Sequence, residues 1–335
     1  MDNPTLTDYV RIMYTLFDLF AQCQAQTMAP KVGSPFTYTD KAMIVFFTIM
    51  QFRRIFRFKA QRRWLEAHRT MWFLLGWDTL PHRTTLSRRY KDLYEAIQCL
   101  IAFVGQYAGD LDTRFSSRHL VGDKSLFKAL GPVWHQSDRK AGRIPEGLRN
   151  LDTDATWSKS AYQGWVYGYG LHITCNEAAF PELVRVETGA VSESEVIDLQ
   201  SAYILNTLAP DTLAADNSYT KATRIRQWAQ QGVALLTPAY RWVKGRYAMA
   251  YHRFIREPEN IRRLQKRRTS IEPFFDLVAK VLGINGNQKP LPIQGLRNVR
   301  TCLALATLTT QIAMIANSMW GLPLRNISVM TTAFT

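Results

Sequence analysis

His119-Leu-Val-Gly-Asp-Lys-Ser-Leu-Phe127 carries an apolar run that ends on an acid, Asp123, followed by a polar Lys-Ser pair. Residues 211–218, Asp-Thr-Leu-Ala-Ala-Asp-Asn-Ser, repeat the pattern: Leu213-Ala-Ala leads to Asp216, then Asn217 and Ser218. Short apolar or alternating runs bounded by Gly, Pro, Asn and Asp predict strands. GWVYGYGLHITCN (164–176), ELVRVETGAV (182–191) and GVALLTP (232–238) belong to the same class. Helical patterns lie between the later ones. Ser192-Glu-Ser-Glu195 is a capping box that opens a helix over Glu193–Leu208. A second helix is expected over Thr220–Gln231, and a third over Pro258–Leu282, where Ile271, Phe274, Phe275, Val278 and Leu282 form a stripe. Three strands, then helix, strand, helix, strand, helix, predict an α/β fold with a mixed sheet and flanking helices.

The stretch Lys128–Ala161 reads as a long polar loop or small insert, with Asp152 and Asp154 as solvated turn residues. Before residue 118 the texture is helical. Tyr9–Phe20, Lys41–Arg57 and Tyr90–Tyr107 place apolar residues three and four apart. The expected division is an all-α segment over 1–115, the α/β part over 116–322, and a tail over 323–335.

Carboxylates at the ends of adjacent strands converge on one edge of a sheet, where open α/β folds build their sites. Hard divalent cations such as Mg²⁺ take oxygen ligands, usually one or two carboxylates each. The competing reading is that each Asp caps a turn or a helix. Glu272 adds a third acid, within Arg267-Arg-Thr-Ser-Ile-Glu-Pro-Phe-Phe-Asp-Leu-Val-Ala-Lys280. Arg268 precedes it by four residues, on one helix face, which fits either a phosphate-gripping guanidinium or a surface ion pair.

The set VGDKS, WVYGYGLH, LAADNSY and RRTSIEPFFDLVAK resembles the DDE transposases of bacterial insertion sequences, in the broad IS4/IS5-like group. The resemblance spans roughly residues 118–320. It implies an RNase H-like catalytic fold and a metal-binding triad of Asp123, Asp216 and Glu272, served by Mg²⁺ or Mn²⁺. It further implies that Leu80-Pro-His-Arg-Thr-Thr-Leu-Ser-Arg-Arg-Tyr-Lys91 belongs to an N-terminal DNA-binding part. A homodimer on double-stranded DNA is implied as well, since two transposon ends are cut together. Two signature positions differ: Gln265 and Ala279 stand where a Tyr and a Lys are usual, with Lys280 one step further on. Pro273 directly after Glu272 suggests that Glu272 opens a helix rather than sitting within one. A nuclease that cuts without joining, and a domesticated, non-catalytic DNA-binding protein, are the alternative readings.

The charge agrees with a nucleic-acid partner. The 335 residues include 42 Lys+Arg against 27 Asp+Glu, net +15, and 47% are hydrophobic, which excludes a disordered chain. Eleven Lys/Arg between Arg53 and Lys91 face only Glu66 and Asp78, a net of +9; thirteen between Lys244 and Arg300 face four acids, again +9. The remainder is −3. Arg83, Arg88, Arg89 and Lys91 are candidate DNA contacts on a helix capped by Thr84 or Thr85, as are Arg267, Arg268 and Lys280. Phe52, Phe56, Phe58 and Trp64, interleaved with the first block, read as the apolar face of a helix.

Nothing else in the chain suggests a different chemistry. Cys23, Cys99, Cys175 and Cys302 have neither disulfide nor zinc spacing and fit reduced core thiols of a cytoplasmic protein. The six histidines show no ligand spacing, His172 is expected to be structural, and Ser125 lacks partners for a nucleophile. Thr301–Trp320 is uncharged and about a bilayer span long, yet its Thr, Gln and Asn content favours a buried amphipathic helix over a membrane segment.

Overall fold

The computed structural model describes residues 3–27, 37–160, 163–286 and 289–335. Helical periodicity in the first third gives α1 (Leu6–Thr27), α2 (Asp40–Phe52), α3 (Phe58–Ala67), α4 (Thr70–Leu75), α5 (Arg83–Asp92) and α6 (Tyr94–Leu111). α2 stops short of Arg57. Arg54 adopts a left-handed backbone, φ 58°, and its guanidinium turns away to donate to the carbonyls of Lys280 and Val281. That partner is more than 200 residues distant, so apolar spacing carries no trace of it. The helix expected over Tyr90–Tyr107 is divided into α5 and α6 at buried Leu93. His82, not Thr84 or Thr85, caps α5: its Nδ1 accepts from the Thr84 amide at 3.4 Å.

The sheet contains β1 (His119–Lys128), β2 (Thr156–Ser160), β3 (Gly164–Asn176), β4 (Pro181–Thr188), β5 (Thr212–Ala214) and β6 (Ala234–Leu236), with α7 (Gln136–Lys140) between β1 and β2. β3 pairs antiparallel with β1 along one edge, and with β4 and then β2 along the other. β5 joins the free edge of β1 in parallel, and β6 follows β5 in parallel. The mixed α/β sheet expected from the pattern is therefore present. Gly168 is required at the crossing of β1, β2 and β3, because a Cβ there would lie 2.0 Å from the Phe127 carbonyl oxygen.

The stretch over 128–161, whose last residue lies outside the described residues, is structured rather than a loop. It holds α7 and β2, and Asp152 is 3% exposed instead of solvated. Asp152 accepts from the Tyr169 hydroxyl at 2.8 Å and the Gly295 amide at 3.0 Å; Asp154 accepts from the Leu296 amide at 2.9 Å. Both acids thus satisfy unpaired amides at the start of the helix over Leu296–Met319, where negative charge is favoured.

Beyond β4 the chain forms α8 (Glu193–Tyr203), α9 (Ala222–Gln230), α10 (Ala248–Ile255), α11 (Pro258–Leu282), α12 (Leu296–Met319) and α13 (Ser328–Phe334). The Ser192/Glu195 capping box forms as expected. α8 continues as a π turn to Leu208. Leu120, Leu183 and Leu213 on one sheet face pack with Ile197 of α8 and with Ile225 and Trp228 of α9. Tyr169, Leu171, Ile173 and Cys175 on the other face pack with α6, α11 and α12. α12 is long and apolar enough to cross a membrane, but 94% of its apolar window is buried inside the protein. It is enclosed all round rather than amphipathic. Thr307, Thr309 and Thr310 bond back to carbonyls one turn earlier, and the Gln311 amide donates to Ile101 and Pro181, so the hydroxyl and amide donors are satisfied in place, while Gln311 Oε1 and Asn317 Oδ1 are left without a partner.

The apolar cluster around α12 runs from Tyr9 to Phe334 and crosses position 115/116 without a break. The expected tail contributes to it: α13 buries Met330 and Phe334 completely.

Candidate active site

β1 and β5 pair in parallel up to Val121 opposite Ala214, and each acid follows two residues later in its own segment, near enough that the Asp216 charge acts on Asp123. Asp123 lies within β1, not at its end, because antiparallel pairing with β3 carries the strand on to Lys128. Asp216 stands just past β5, where its carboxylate accepts from the Asn217 amide and caps a short turn over Asn217–Tyr219. Asp123 accepts from the Lys124 amide at 2.8 Å. The capping role weighed from sequence is therefore real for Asp216, whereas Asp123 bonds the next amide within its own strand and caps nothing.

Burial pushes the Asp123 carboxyl up to about 6. The Arg267 guanidinium and the Lys124 amide oppose that shift, while Asp216 and Glu193 add to it. Glu193 was not anticipated as a site residue. It opens α8 beside the capping box but is not itself the capping acid, which is Glu195. Lys124 brings that turn close: its ammonium donates to the carbonyls of Gly189 and Val191 at 2.8 and 2.7 Å, anchoring the β4–α8 connection to β1.

α11 crosses β1 and β5 on the opposite face. It is one continuous helix from Pro258 to Leu282, so Glu272 sits within a helix and does not open one. Pro273 is accommodated because Thr269, whose carbonyl loses its partner, is exposed. Arg267 is the residue α11 presents to Asp123, at 3.8 Å, with only 6% of its side chain exposed. Glu272 is exposed and lies five residues on, roughly 7.5 Å along the helix axis and rotated to another face. Its charge and that of Asp276 act on Lys289, which donates to Ser125 at 3.3 Å. Ser125 is two strand positions, roughly 7 Å, beyond Asp123. The structure thus brings the charges of Arg267, Asp216 and Glu193 to bear on Asp123, and puts Glu272 further along α11 on another face. Among the described residues, no group of three or more His, Cys, Asp or Glu side chains is close enough to hold an ion. In type, the all-oxygen donors Asp123 and Asp216 suit a hard divalent cation.

The basic residues divide into two kinds. Arg83, Arg88 and Lys91 line the exposed side of α5, and Arg268 and Lys280 are exposed on α11. Arg89 is not free for DNA. Its side chain is 13% exposed and bonds the Tyr38 carbonyl and the Asp40 carboxylate, tying α5 to the start of α2. Arg267, buried against Asp123, is likewise not a surface contact. Phe52 ends α2 and is buried, Phe56 lies in the connection after it, and Phe58 and Trp64 lie on α3; all four pack into the core, but on two helices and a turn rather than on one helix face.

His172 is buried within β3, opposite Lys124, and burial lowers its pKa to about 3, so it is neutral. Cys175 and Cys302 are core thiols, but Cys23 and Cys99 are exposed. A cavity of about 730 Å³ opens at the far end of the parallel strands, lined by His119, Thr212, Ala234, Tyr251, Phe254 and Arg263. These include the first residues of β1, β5 and β6, so the cavity is remote from the acids. No protein-family model and no curated protein matches the chain.

Proposed function

We propose that the protein is a DDE-type DNA transposase, with Asp123, Asp216 and Glu272 as the acids of a metal-dependent DNA cleavage and strand-transfer site. The observation that carries this reading is the parallel β1–β5 pairing, beyond which Asp123 and Asp216 each follow by two residues and interact through their charges, with Arg267 of the basic helix α11 against Asp123. The strand order β4-β3-β1-β5-β6, with two antiparallel and then two parallel pairings, supports an RNase H-like catalytic fold. Exposed Arg83, Arg88, Lys91, Arg268 and Lys280 offer charge-assisted donors to DNA phosphates.

Bound Mg²⁺, or Mn²⁺ in its place, supplies activation of the attacking oxygen and stabilisation of the leaving one. The chain's residues do the rest. The carboxylates fix the site, the exposed guanidinium and ammonium groups hold the duplex, and the buried flank of α11 excludes water from one side. The chemistry is two in-line displacements at phosphorus: water first opens the phosphodiester at the transposon end, and the freed 3′-OH then attacks target DNA. No covalent bond to the protein forms.

Asp123→Ala, Asp216→Ala and Glu272→Ala are each expected to abolish metal-dependent nicking while leaving DNA binding near wild type, as read by gel assays. Wild-type cleavage by Asp123→Ala or Asp216→Ala would overturn the site. Wild-type cleavage by Glu272→Ala alone would remove Glu272 from it and turn attention to Glu193. A joining assay with pre-cut ends separates a transposase from a nuclease, because only the former transfers the 3′-OH.

A further inference from the structure

Two cross-strand pairs place aromatic rings on one face of the β2–β3 hairpin: Trp157 opposite Tyr167, and Lys159 opposite Trp165. The inner pair is anchored. Tyr167 is buried and its hydroxyl donates to the Asp152 carbonyl at 2.6 Å, while the Trp157 indole N–H donates to the Trp134 carbonyl at 2.8 Å. The outer pair is open. Trp165 is 61% exposed, with its ring 6.5 Å from that of Trp157 and the exposed Lys159 ammonium 6.0 Å from its centroid.

A lone exposed apolar residue means little, but this ring is held by packed neighbours and borders positive charge. Where β2 meets α7, a cleft of about 420 Å³ is lined by Gln136, Arg139, Lys140, Thr156, Trp157 and Ala190, so Trp157 belongs to both cleft and hairpin face. Among the described residues no acid lines it. Arg139 is fixed by donating to the Ala155 carbonyl at 3.0 Å, Lys140 is exposed, and Asp138 of α7 is held by Arg143 at 2.6 Å. This surface lies outside both basic blocks of the sequence, and the fold assembles it from α7 and the hairpin. It is also separate from the acids: Asp123 lies opposite Ile173, eight positions and roughly 26 Å along β3 from Trp165. An exposed ring beside cations suits a nucleic-acid strand, whose bases stack on the ring and whose phosphates meet the cations. A duplex keeps its base faces covered, so the ring favours an unpaired strand.

We propose that the β2–β3 hairpin and α7 form a binding surface for single-stranded DNA, with Trp165 stacking on an unpaired base and Lys159, Arg139 and Lys140 meeting phosphates. The proposal rests on the reading of the chain as a DNA-processing protein, and adds that an unpaired strand is held well away from the acids.

The test is fluorescence anisotropy of the full chain with a labelled short oligothymidylate and with a labelled duplex of equal length. Trp165→Ala should weaken oligothymidylate binding at least about fivefold and leave duplex binding within about twofold of wild type. Trp165→Phe keeps a stacking ring and should recover most of the loss. Replacing Lys140 and Lys159 together with Ala should flatten the slope of log K against log salt for oligothymidylate by about 0.7 for each phosphate left without its cation. Equal oligothymidylate affinity of wild type and Trp165→Ala overturns the proposal and leaves the DNA reading standing, as does an equal loss for both probes. Wild type that binds neither probe removes the DNA reading itself. If Trp165→Ala instead loses binding to phosphatidylserine vesicles while keeping oligothymidylate, the surface belongs to a membrane and the proposal is overturned.

Discussion

Glu182 shows how one residue can set the pH response of this protein. It is fully buried at the start of β4, so close to α6 that a Cβ on Gly105 would lie 2.4 Å from its Oε2. Burial raises its carboxyl pKa from 4.5 to about 8, opposed only by the nearby Ser117 side chain. Between those values the unfolded chain has released the proton and the folded chain keeps it. Stability contributed by the protonated form is thus present at pH 4.5 and is lost as pH rises toward 8. Glu182→Gln should match wild type near pH 5 and exceed it by on the order of a few kcal/mol above pH 8, as read from urea midpoints. An unchanged pH slope in this variant would show that Glu182 is not the group responsible. Neither this burial nor that of Asp152 is legible from sequence, because an isolated acid between apolar residues looks the same whether it meets solvent, a tyrosine hydroxyl or a helix start.

At the scale of elements, α5 separates binding charge from structural charge. Arg83, Arg88 and Lys91 lie within a half-turn arc of its exposed side, while Leu86, Arg89 and Tyr90 face inward. Replacing the three exposed residues with Ala should weaken duplex binding. It should also flatten the slope of log K against log salt by about 0.9 for each DNA phosphate left without its cation. Arg89→Ala should leave that slope alone and cost about 1–2 kcal/mol of stability, since Asp40 stays half in solvent after losing its partner. Equal loss of salt slope in both variants would refute the division. The four patterned elements β3, β4, α8 and α11 were readable because each carries its own period and its own stop signals. β2 was missed: Thr-Trp-Ser-Lys-Ser is short and polar, and becomes a strand only because the β3 edge is there to pair with it.

At the scale of the whole molecule, the aromatic ring of Phe334 lies 5.7 Å from Tyr9 and 4.9 Å from Phe52, joining the last helix to the first two. Phe334→Ala should therefore cost about 3–5 kcal/mol and lower a single cooperative transition, observed by calorimetry. A separate early transition for the helical segment would instead indicate a core divided near residue 115.

Composition, periodicity and local caps were enough to determine an α/β chain with a mixed sheet and a buried apolar α12, because these features depend on neighbours within a few turns. The short apolar runs before Asp123 and Asp216 likewise marked the two acids, and a helix start the capping box. Which charge stands opposite which acid was decided only by tertiary structure. The β1–β5 register, the rotation of α11 about its axis and the anchoring of α8 by Lys124 put Arg267 and Glu193 at Asp123 and left Glu272 further along. Sequence spacing specifies a residue's height and face on its own element. The facing of two elements is set by how their apolar sides pack, and here that packing spans the chain from Tyr9 to Phe334.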